Sequence, residues 1–324
     1  MRFALAILLL APDASWNGRV VDLTRLELLR SFGPWKTSTL SPAGQALGIY
    51  SGNSIVLVDV KSGNRLRSLD GHEAHLHDSG WSRDGRFFAS TGYDGKVRFW
   101  EVASGRCLGV VAPHAGYACS VALSSDGRLA ATGGSADAFV KLFETAGGRE
   151  IRSIATRGGA TYTLGFTGDG RYLVGVQADG QMRTWRVADG VEVAAVAPKG
   201  GYVHTSAFSR DGRWLAYPSV NGAILLADTA EWSEAGADPA RPRRVRAFEG
   251  HPGGAGFLAF HPAGRHLVSS GADGAVRIWE LSTGKRVHAL TPNAGGSPRV
   301  AFTADGQQLV VAGADDTVRV YGAK

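Results

Sequence analysis

A tight turn built on a small residue and a glycine recurs seven times along this chain of 324 residues. The turn glycines are Gly44, Gly85, Gly127, Gly170, Gly212, Gly264 and Gly306. Successive glycines lie 41 to 43 residues apart, except for one step of 52. A period in the low forties is the length of one propeller blade, a four-stranded antiparallel sheet. The spacing therefore predicts an all-β fold, a seven-bladed β-propeller.

The second repeat shows most clearly how one blade is built. Residues 78–82 form a short strand, and the Asp84-Gly85 turn follows it. Residues 87–90, 96–102 and 106–111 are the next three strands, and the third of the four alternates polar and apolar residues. One sheet of this size cannot bury both of its faces. Seven sheets around an axis bury their faces against one another and leave few exposed edges.

Two repeats carry a histidine, a serine, an aspartate and a tryptophan at matching positions. These residues are His72, Ser90, Asp94 and Trp100 in the second repeat and His251, Ser269, Asp273 and Trp279 in the sixth. With these two tetrads, each preceded by a glycine before its histidine, the chain resembles the WD40-repeat family over residues 26–321. The resemblance implies a seven-bladed propeller in which the tetrads are structural, hydrogen-bonded groups rather than a hydrolase site.

The other repeats keep only part of this pattern. The third has His114, Thr132 and Asp137, with Phe143 in place of tryptophan. The fourth keeps an aspartate and a tryptophan, Asp179 and Trp185, but has no Gly-His pair. The first and fifth repeats have lost the pattern, so we expect their blades to depend on neighbouring blades for stability.

The repeats predict a single propeller domain over residues 16–324. Its blades are expected near residues 37–69, 78–111, 119–154, 162–196, 204–248, 256–290 and 298–321. The seventh repeat stops after its third strand at Tyr321, whereas residues 26–32 match the pattern of a fourth strand. We therefore expect residues 26–32 to pair beside residues 317–321 and close the ring, as the resemblance also implies.

Residues 1–15 are open to two interpretations. Arg2 is followed by an apolar run over residues 3–11, which is typical of a signal peptide and too short to span a bilayer. Alternatively, residues 2–5 are a strand remnant of an extra, truncated blade, because Met1 lies one repeat before Gly44. The signal interpretation predicts export to a periplasmic or extracellular location rather than a cytoplasmic one.

Charge and cysteine content exclude several classes. The chain has a net charge of +6, and many of its cations lie in Asp-Gly-Arg turns, which would form a basic ring on one face and serve mainly solubility. No aromatic stacking motif accompanies these cations, so a nucleic-acid partner is not expected. Cys107 and Cys119 fall on strands too far apart for a disulfide. The run from His72 through His75 and His77 to Asp78 has metal-ligand types, but His72 already belongs to a tetrad.

The sequence favours a non-catalytic scaffold that binds a protein or peptide and is monomeric by itself. No phosphate-binding loop, nucleophile elbow or zinc-protease motif occurs, and no cofactor is implied. The alternative is a propeller with a small-molecule or metal site at the channel mouth, with hydrolysis as one such activity. A third interpretation is a structural module of a longer multidomain protein.

The predicted binding surface is formed by the loops before each first strand and the turns between second and third strands. Large aromatic side chains and arginine anchor interfaces because they bury much area with few torsions to freeze. The candidate partner-binding residues on this face are Trp35, Asp78, Tyr93, Tyr117, Tyr162, Tyr202, His204, Phe257 and Arg299. We take Tyr93, Tyr117 and Arg299 as the principal contacts.

Overall fold

The structure is a computed structural model in which seven four-stranded sheets are arranged as blades. It describes residues 22–32, 38–196, 206–209, 213–219, 222–228, 245–292, 296–303 and 305–322. Over these ranges every regular element is a strand. The all-β, seven-bladed architecture predicted from the turn spacing is confirmed. The segment interpreted as a signal peptide or extra strand, residues 1–15, lies outside the described residues.

The strands follow one another along the chain with short turns between them. They are β1 (Glu27–Phe32), β2 (Ser38–Leu40), β3 (Ala46–Ser51), β4 (Ser54–Asp59), β5 (Arg65–Leu69), β6 (Leu76–Trp81), β7 (Phe87–Gly92), β8 (Val97–Glu101), β9 (Cys107–Val111), β10 (Ala118–Leu123), β11 (Leu129–Gly134), β12 (Phe139–Glu144), β13 (Glu150–Ala155), β14 (Thr161–Phe166), β15 (Tyr172–Gln177), β16 (Met182–Arg186), β17 (Glu192–Val196), β18 (Ala207–Phe208), β19 (Trp214–Pro218), β20 (Ile224–Asp228), β21 (Val245–Phe248), β22 (Ala255–Phe260), β23 (His266–Gly271), β24 (Val276–Glu280), β25 (Arg286–Leu290), β26 (Arg299–Phe302), β27 (Gln308–Ala312) and β28 (Val318–Gly322).

Six blades are formed by consecutive strands, and the seventh joins the two ends of the described chain. Blade 1 is β2 to β5, and each following group of four strands is the next blade up to β25. Blade 7 has the order β1-β28-β27-β26, so its outermost strand comes from the N-terminal part. β1 is antiparallel to β28, with Glu27 opposite Gly322 and Phe32 opposite Val318. The predicted closure by residues 26–32 is confirmed.

The turn after the first strand of blades 2, 3, 4 and 7 is held by a hydroxyl and a carboxylate. In blade 2, Ser82 Oγ donates to Asp84 Oδ1 at 2.6 Å and accepts the Phe87 N–H at 2.9 Å. Asp84 Oδ1 also accepts the N–H of Arg86 at 3.0 Å. Gly85 has a φ of 71°, a left-handed conformation that glycine adopts without a Cβ clash. The Asp-Gly pattern recurs because it makes this turn.

The core lies between blades rather than within one sheet. Blade 1 contributes Ile55 and Leu57 to a cluster with Trp81, Phe88 and Trp100 of blade 2, all nearly or fully buried. The first strands of neighbouring blades contact each other and so surround the axis. Little room exists there: a Cβ added to Gly80 would lie 3.3 Å from the Val121 carbonyl oxygen. Close packing at the axis explains why glycine occupies this position.

The ring has two ends, which position the candidate site. Loops that precede the first strands, and turns between second and third strands, lie at one end, here called the channel mouth. The Asp-Gly turns lie at the opposite end, here called the turn face.

Both cysteines are free thiols, Cys107 exposed and Cys119 buried. In the described residues, no helix is long and apolar enough to cross a membrane.

Candidate functional site at the channel mouth

Three rings from two blades meet at the channel mouth. His77 of β6 and Tyr93 of the β7–β8 turn belong to blade 2, and Tyr117 comes just before β10 of blade 3. Ring centroids are 5.3 Å apart for His77 and Tyr93, 4.9 Å for His77 and Tyr117, and 4.8 Å for the two tyrosines. Two of the principal predicted contacts, Tyr93 and Tyr117, are therefore neighbours. We call these three residues the aromatic rim.

Backbone hydrogen bonds fix both loops that carry the rim. The N–H of Tyr93 donates to the carbonyl of His75 at 2.9 Å. The N–H of Ser135 donates to the carbonyl of Tyr117 at 3.0 Å, and the N–H of Tyr117 donates to Ser135 Oγ at 3.2 Å. Tyr93 remains 41% exposed. The aromatic rim is thus fixed by backbone hydrogen bonds and is accessible to solvent.

The rim is uncharged at neutral pH. Burial lowers the pKa of His77 from its usual 6.5, which favours neutral imidazole. Burial also raises the pKa of Tyr117, and the neighbouring Tyr93 and Tyr162 add to that shift. Tyr162, a further predicted contact on β14, therefore lies near Tyr117. Neutral, ring-rich surfaces of this kind suit the buried centre of an interface.

Below the rim, the Asp78 side chain is buried in the wall between blades 2 and 3. It is 2% exposed, and its Oδ2 accepts the N–H of Val121 on β10 at 3.0 Å. Oδ1 accepts no hydrogen bond from the described residues. Burial raises the pKa of Asp78 to about 8, although the N–H groups of Val121 and Ser79 and the charge of Arg299 oppose the shift. The predicted contact Asp78 therefore lies inside the channel mouth and not on its surface.

Arg299, on β26 of blade 7, lies across blade 1 from Asp78. Its guanidinium carbon is 4.9 Å from the ring centroid of Phe257, a cation–π distance. Burial lowers the pKa of Arg299, while Tyr50 and Asp78 act in the opposite direction. Tyr50 of β3 donates from its hydroxyl to Ser79 Oγ at 2.6 Å. The structure thus brings Arg299 together with Phe257 and Asp78, all three named from the sequence.

These three residues occupy one repeated position. Each lies four residues before the residue that opens an Asp-Gly or Ala-Gly turn, namely Ser82, His261 or Thr303. The same position holds Ser120 in blade 3 and Thr163 in blade 4, both buried. Because these residues share one repeated position, they lie at one height along the channel, here called one level. This level carries a carboxyl, two hydroxyls, a phenyl ring and a guanidinium. Sequence reasoning missed Tyr50, which comes from a second strand, where no channel residue was sought.

Two arginines at the turn face pair with the aspartates of their own turns. Arg171 Nε lies 2.5 Å from Asp169 Oδ2, and Arg128 Nε lies 3.9 Å from Asp126 Oδ2. Arg83 behaves differently, because its Nη1 donates to the carbonyl of Gly168 at 3.0 Å, two blades away. That side chain crosses toward blade 4 at the lower end of the channel. Exposed pairs such as Arg128 with Asp126 contribute little stability.

The histidine tetrads form continuous hydrogen-bond chains. His72 Nδ1 lies 3.0 Å from Asp94 Oδ2, and His72 Nε2 lies 2.9 Å from Ser90 Oγ. Trp100 Nε1 donates to the same hydroxyl at 2.9 Å. Ser90 can then donate its own proton to Nε2, which leaves the Nδ1 proton for Asp94. Burial lowers the pKa of His72, in keeping with this neutral form.

The same chain of contacts recurs in blades 6 and 3. In blade 6, His251 lies 3.0 Å from Asp273 Oδ1 and 2.7 Å from Ser269 Oγ, which also accepts from Trp279 at 2.7 Å. In blade 3, His114 lies 2.9 Å from both Asp137 Oδ1 and Thr132 Oγ1. In all three blades the histidine thus joins the loop before the blade to its sheet.

The comparison with known families agrees with these contacts. The family described as "WD domain, G-beta repeat" matches residues 63–101, 105–144, 242–280 and 284–322. This chain is a WD40-repeat protein. Proteins of the WD40 family typically act as protein-interaction scaffolds and are generally non-catalytic.

Curated relatives of this WD40 protein share only part of its length. An uncharacterised WD repeat-containing protein of Synechocystis is 31% identical over 119 residues, which are 35% of this chain and 34% of that protein. Protein HIR1 of Mycosarcoma maydis is 31% identical over 115 residues, 36% of this chain and 11% of that protein. Jouberin of Rattus norvegicus is 28% identical over 108 residues, 33% of this chain and 10% of that protein. The chain thus spans about a third or less of each relative.

Three predicted contacts, Trp35, Tyr202 and His204, lie outside the residues that the structure describes. Within the described ranges, no group of three His, Cys, Asp or Glu side chains is arranged to hold a metal ion. The His75 and His77 pair considered from the sequence is thus not part of such a group.

Proposed function

We propose that this WD40 propeller is a non-catalytic scaffold that binds a protein or peptide partner on the channel mouth. The observation that carries the proposal is the aromatic rim of His77, Tyr93 and Tyr117, with ring centroids within 5.3 Å of one another. Aromatic side chains clustered at an exposed site are the usual anchors of protein interfaces. At the turn face, by contrast, Arg128 and Arg171 already pair with the aspartates of their own turns.

The WD40 family supports this assignment, because its members typically act as interaction scaffolds. The tetrads support it in a second way. In the two complete tetrads the serine hydroxyl is fully buried and also accepts the tryptophan N–H, so these groups serve the fold rather than hydrolysis. The partner surface must then be built from other residues, and the aromatic rim supplies them.

A random-peptide display library panned against the full chain tests the proposal. Enriched peptides should bind with affinities that fall about tenfold or more in Tyr93→Ala and Tyr117→Ala, the effect of truncating an interface anchor. Leu66→Ala is the matched control, since Leu66 is 56% exposed on the outer strand β5. Thermal unfolding should change little in any of the three variants.

A charge-reversal variant, Arg128→Glu with Arg171→Glu, distinguishes the two ends of the channel. We expect it to leave peptide binding unchanged, because both arginines lie on the turn face. If this double variant abolishes binding while the tyrosine variants retain it, the turn face is the binding surface and the proposal is wrong.

A further inference from the structure

The level of the channel just below the aromatic rim contains two groups of opposite charge. Asp78 in blade 2 and Arg299 in blade 7 occupy the same repeated position on either side of blade 1. Each influences the pKa of the other, and Tyr50 from blade 1 interacts with both. The guanidinium is also held against the Phe257 ring at 4.9 Å. Residues from three or more blades therefore surround these two charged groups.

One oxygen of the Asp78 carboxyl accepts no hydrogen bond from the described residues. Oδ2 accepts the Val121 N–H, whereas Oδ1 is buried and has no hydrogen-bond partner in the described residues. A buried polar atom without a partner typically costs about 1–3 kcal/mol, so such an atom needs an explanation. Thr163 Oγ1, at the same repeated position in blade 4, is likewise buried and without a partner in these residues.

The charges at this level determine which ligand fits. A ligand cation would meet Arg299, and a guanidinium does not release its proton in a protein. A ligand anion would meet Asp78, and a carboxylate can take up a proton and become a donor. Arg83 places a second guanidinium at the lower end of the channel. The described channel groups thus accommodate an added negative charge and oppose an added positive one.

We propose that the channel mouth binds the carboxylate of a glutamate or aspartate side chain from a protein partner, held between Arg299 and Asp78. This inference rests on the proposed function, since the aromatic rim would surround the inserted side chain. Arg299 would donate to one carboxylate oxygen and Asp78 Oδ1 would donate its proton to the other. Both are charge-assisted hydrogen bonds, the stronger class in proteins.

Proton uptake by Asp78 gives the site a pH signature. The titratable groups that interact with it are Tyr50 from β3, Cys119 from β10 and Arg299 from β26, and His77 precedes it on β6. Burial raises the pKa values of Tyr50 and Cys119, that of Cys119 to about 12, and lowers that of His77 below 6.5. Asp78, with a pKa of about 8, is therefore the group that changes charge just above neutrality.

A peptide series on the wild-type chain is the first test. The probes are acetylated and amidated peptides Gly-Ser-X-Ser-Gly with X as Glu, Gln or Arg, measured by ligand-observed NMR at matched ionic strength. We expect the Glu peptide to bind about tenfold more tightly than its Gln isostere, because one charge-assisted pair distinguishes them. Tighter binding of the Arg peptide, or equal binding of all three, overturns the proposal.

Binding of the Glu peptide should also weaken as the pH rises through about 8. The acid form of Asp78 is required, so affinity falls about tenfold per pH unit well above its pKa. In Asp78→Asn the side chain is always neutral and always a donor. That variant should still bind the Glu peptide, with an affinity that no longer depends on pH in this range. If Asp78→Asn abolishes binding, or if the wild type shows no pH dependence, the proposal is wrong.

Arg299→Gln should remove the preference for Glu over Gln, whereas Arg128→Gln should retain it. Arg128 is the matched control because its side chain is 85% exposed on the turn face. If Arg299→Gln fails to fold, the wild-type peptide series and its pH dependence still decide the question. Should Tyr93→Ala weaken display-selected peptides while Arg299→Gln leaves them unchanged, the proposed function stands and this inference fails.

Discussion

Blade 2 joins the loop before it to its sheet through a neutral histidine, whereas blade 4 lacks this histidine and uses an arginine of its third strand to bind its second strand and the turn between them. In blade 2, His72 joins Asp94 to Ser90 and through it to Trp100. In blade 4, Arg183 Nη2 lies 2.6 Å from Asp179 Oδ2, and Nη1 donates to Gln177 Oε1 at 2.5 Å. In blade 4 the Arg183–Asp179 ion pair and the Gln177 side-chain amide thus replace the neutral histidine hydrogen bonds of blade 2.

The tryptophans of the two blades differ in a related way. Trp100 Nε1 donates to Ser90, but Trp185 Nε1 has no hydrogen-bond partner in the described residues. Gly175 occupies the position of Ser90, and a Cβ added there would lie 3.0 Å from the Trp185 ring. Both tryptophans are nearly or fully buried. The comparison teaches that the aromatic packing is common to both blades, while the polar tie can be built in two ways.

The largest effect should come from the packing that both blades share. Trp100→Ala and Trp185→Ala are each expected to lower the free energy of unfolding by about 3–5 kcal/mol, the usual cost of removing a large buried aromatic side chain. Urea unfolding of the two variants measures it. A loss in one blade that is several times the loss in the other would show that the blades do not share the same packing role.

Removal of the aspartates should have intermediate effects that differ in salt dependence. Asp94→Ala leaves the N–H groups of Glu73 and Lys96 and the ring of His72 without their acceptor, at a cost of about 1–3 kcal/mol. Asp179→Ala leaves Arg183, whose side chain is only 6% exposed, without its principal counter-ion. Because the Asp179 side chain is 31% exposed, salt should screen its pair and reduce the loss.

The salt test is unfolding of both variants at low and at about 1 M salt, where screening is nearly complete. The loss in Asp94→Ala should be the same at both concentrations, since it comes mainly from orphaned hydrogen-bond donors. If the two losses respond equally to salt, the polar ties of the two blades are not distinct in kind.

A smaller difference should separate the tryptophans themselves. Trp100→Phe removes both ring volume and the donor to Ser90, whereas Trp185→Phe removes ring volume alone. We expect the blade 2 variant to lose about 1 kcal/mol more, the net value of one hydrogen bond. Thermal unfolding of the two proteins side by side gives the comparison. Equal losses would mean that the Trp100 hydrogen bond contributes nothing net.

The smallest effect is the response to acid. Burial lowers the pKa of His72 below its unfolded value of 6.5, so the folded state binds fewer protons and stability is lost as the pH falls below 6.5. In blade 4 the Arg183 hydrogen bond lowers the pKa of Asp179 below 3.8, so the corresponding loss begins only below that pH. Hydrogen exchange should therefore show β7 and β8 amides losing protection between these two values while β15 and β16 retain it.

Much of the architecture could be predicted because each repeat carries its own local signal. Gly85 and its equivalents mark turns that only a left-handed residue makes easily, and their spacing gives the blade count. The closing strand followed from a missing fourth strand after Tyr321. Each of these inferences starts from a pattern that repeats along the chain, which is why the sequence sufficed for them.

The candidate site was only partly predictable because its contacts join distant parts of the chain. Tyr50, Asp78 and Arg299 come from three blades and are brought together by ring closure. Counting four residues back from each turn would have placed Asp78 and Arg299 at one level, but nothing similar indicates Tyr50. The blade 4 tie was missed because Arg183 replaces a histidine from a different strand position. A search for His-Ser-Asp-Trp cannot find it.

The pairing of β1 with β28 has a topological consequence. Since the first and last described strands are hydrogen-bonded neighbours, the seven sheets form a circuit with no structurally privileged starting blade. A chain with the same sequence order, opened at a different inter-blade connection and joined by a short linker between residues 27 and 322, would trace the same circuit. The pairing of β1 with β28 in blade 7 would then be an ordinary hairpin within one blade. The two chain ends would meet at the newly opened connection instead. The fold is thus defined by the cyclic order of its blades, and the position of the break is a separate choice.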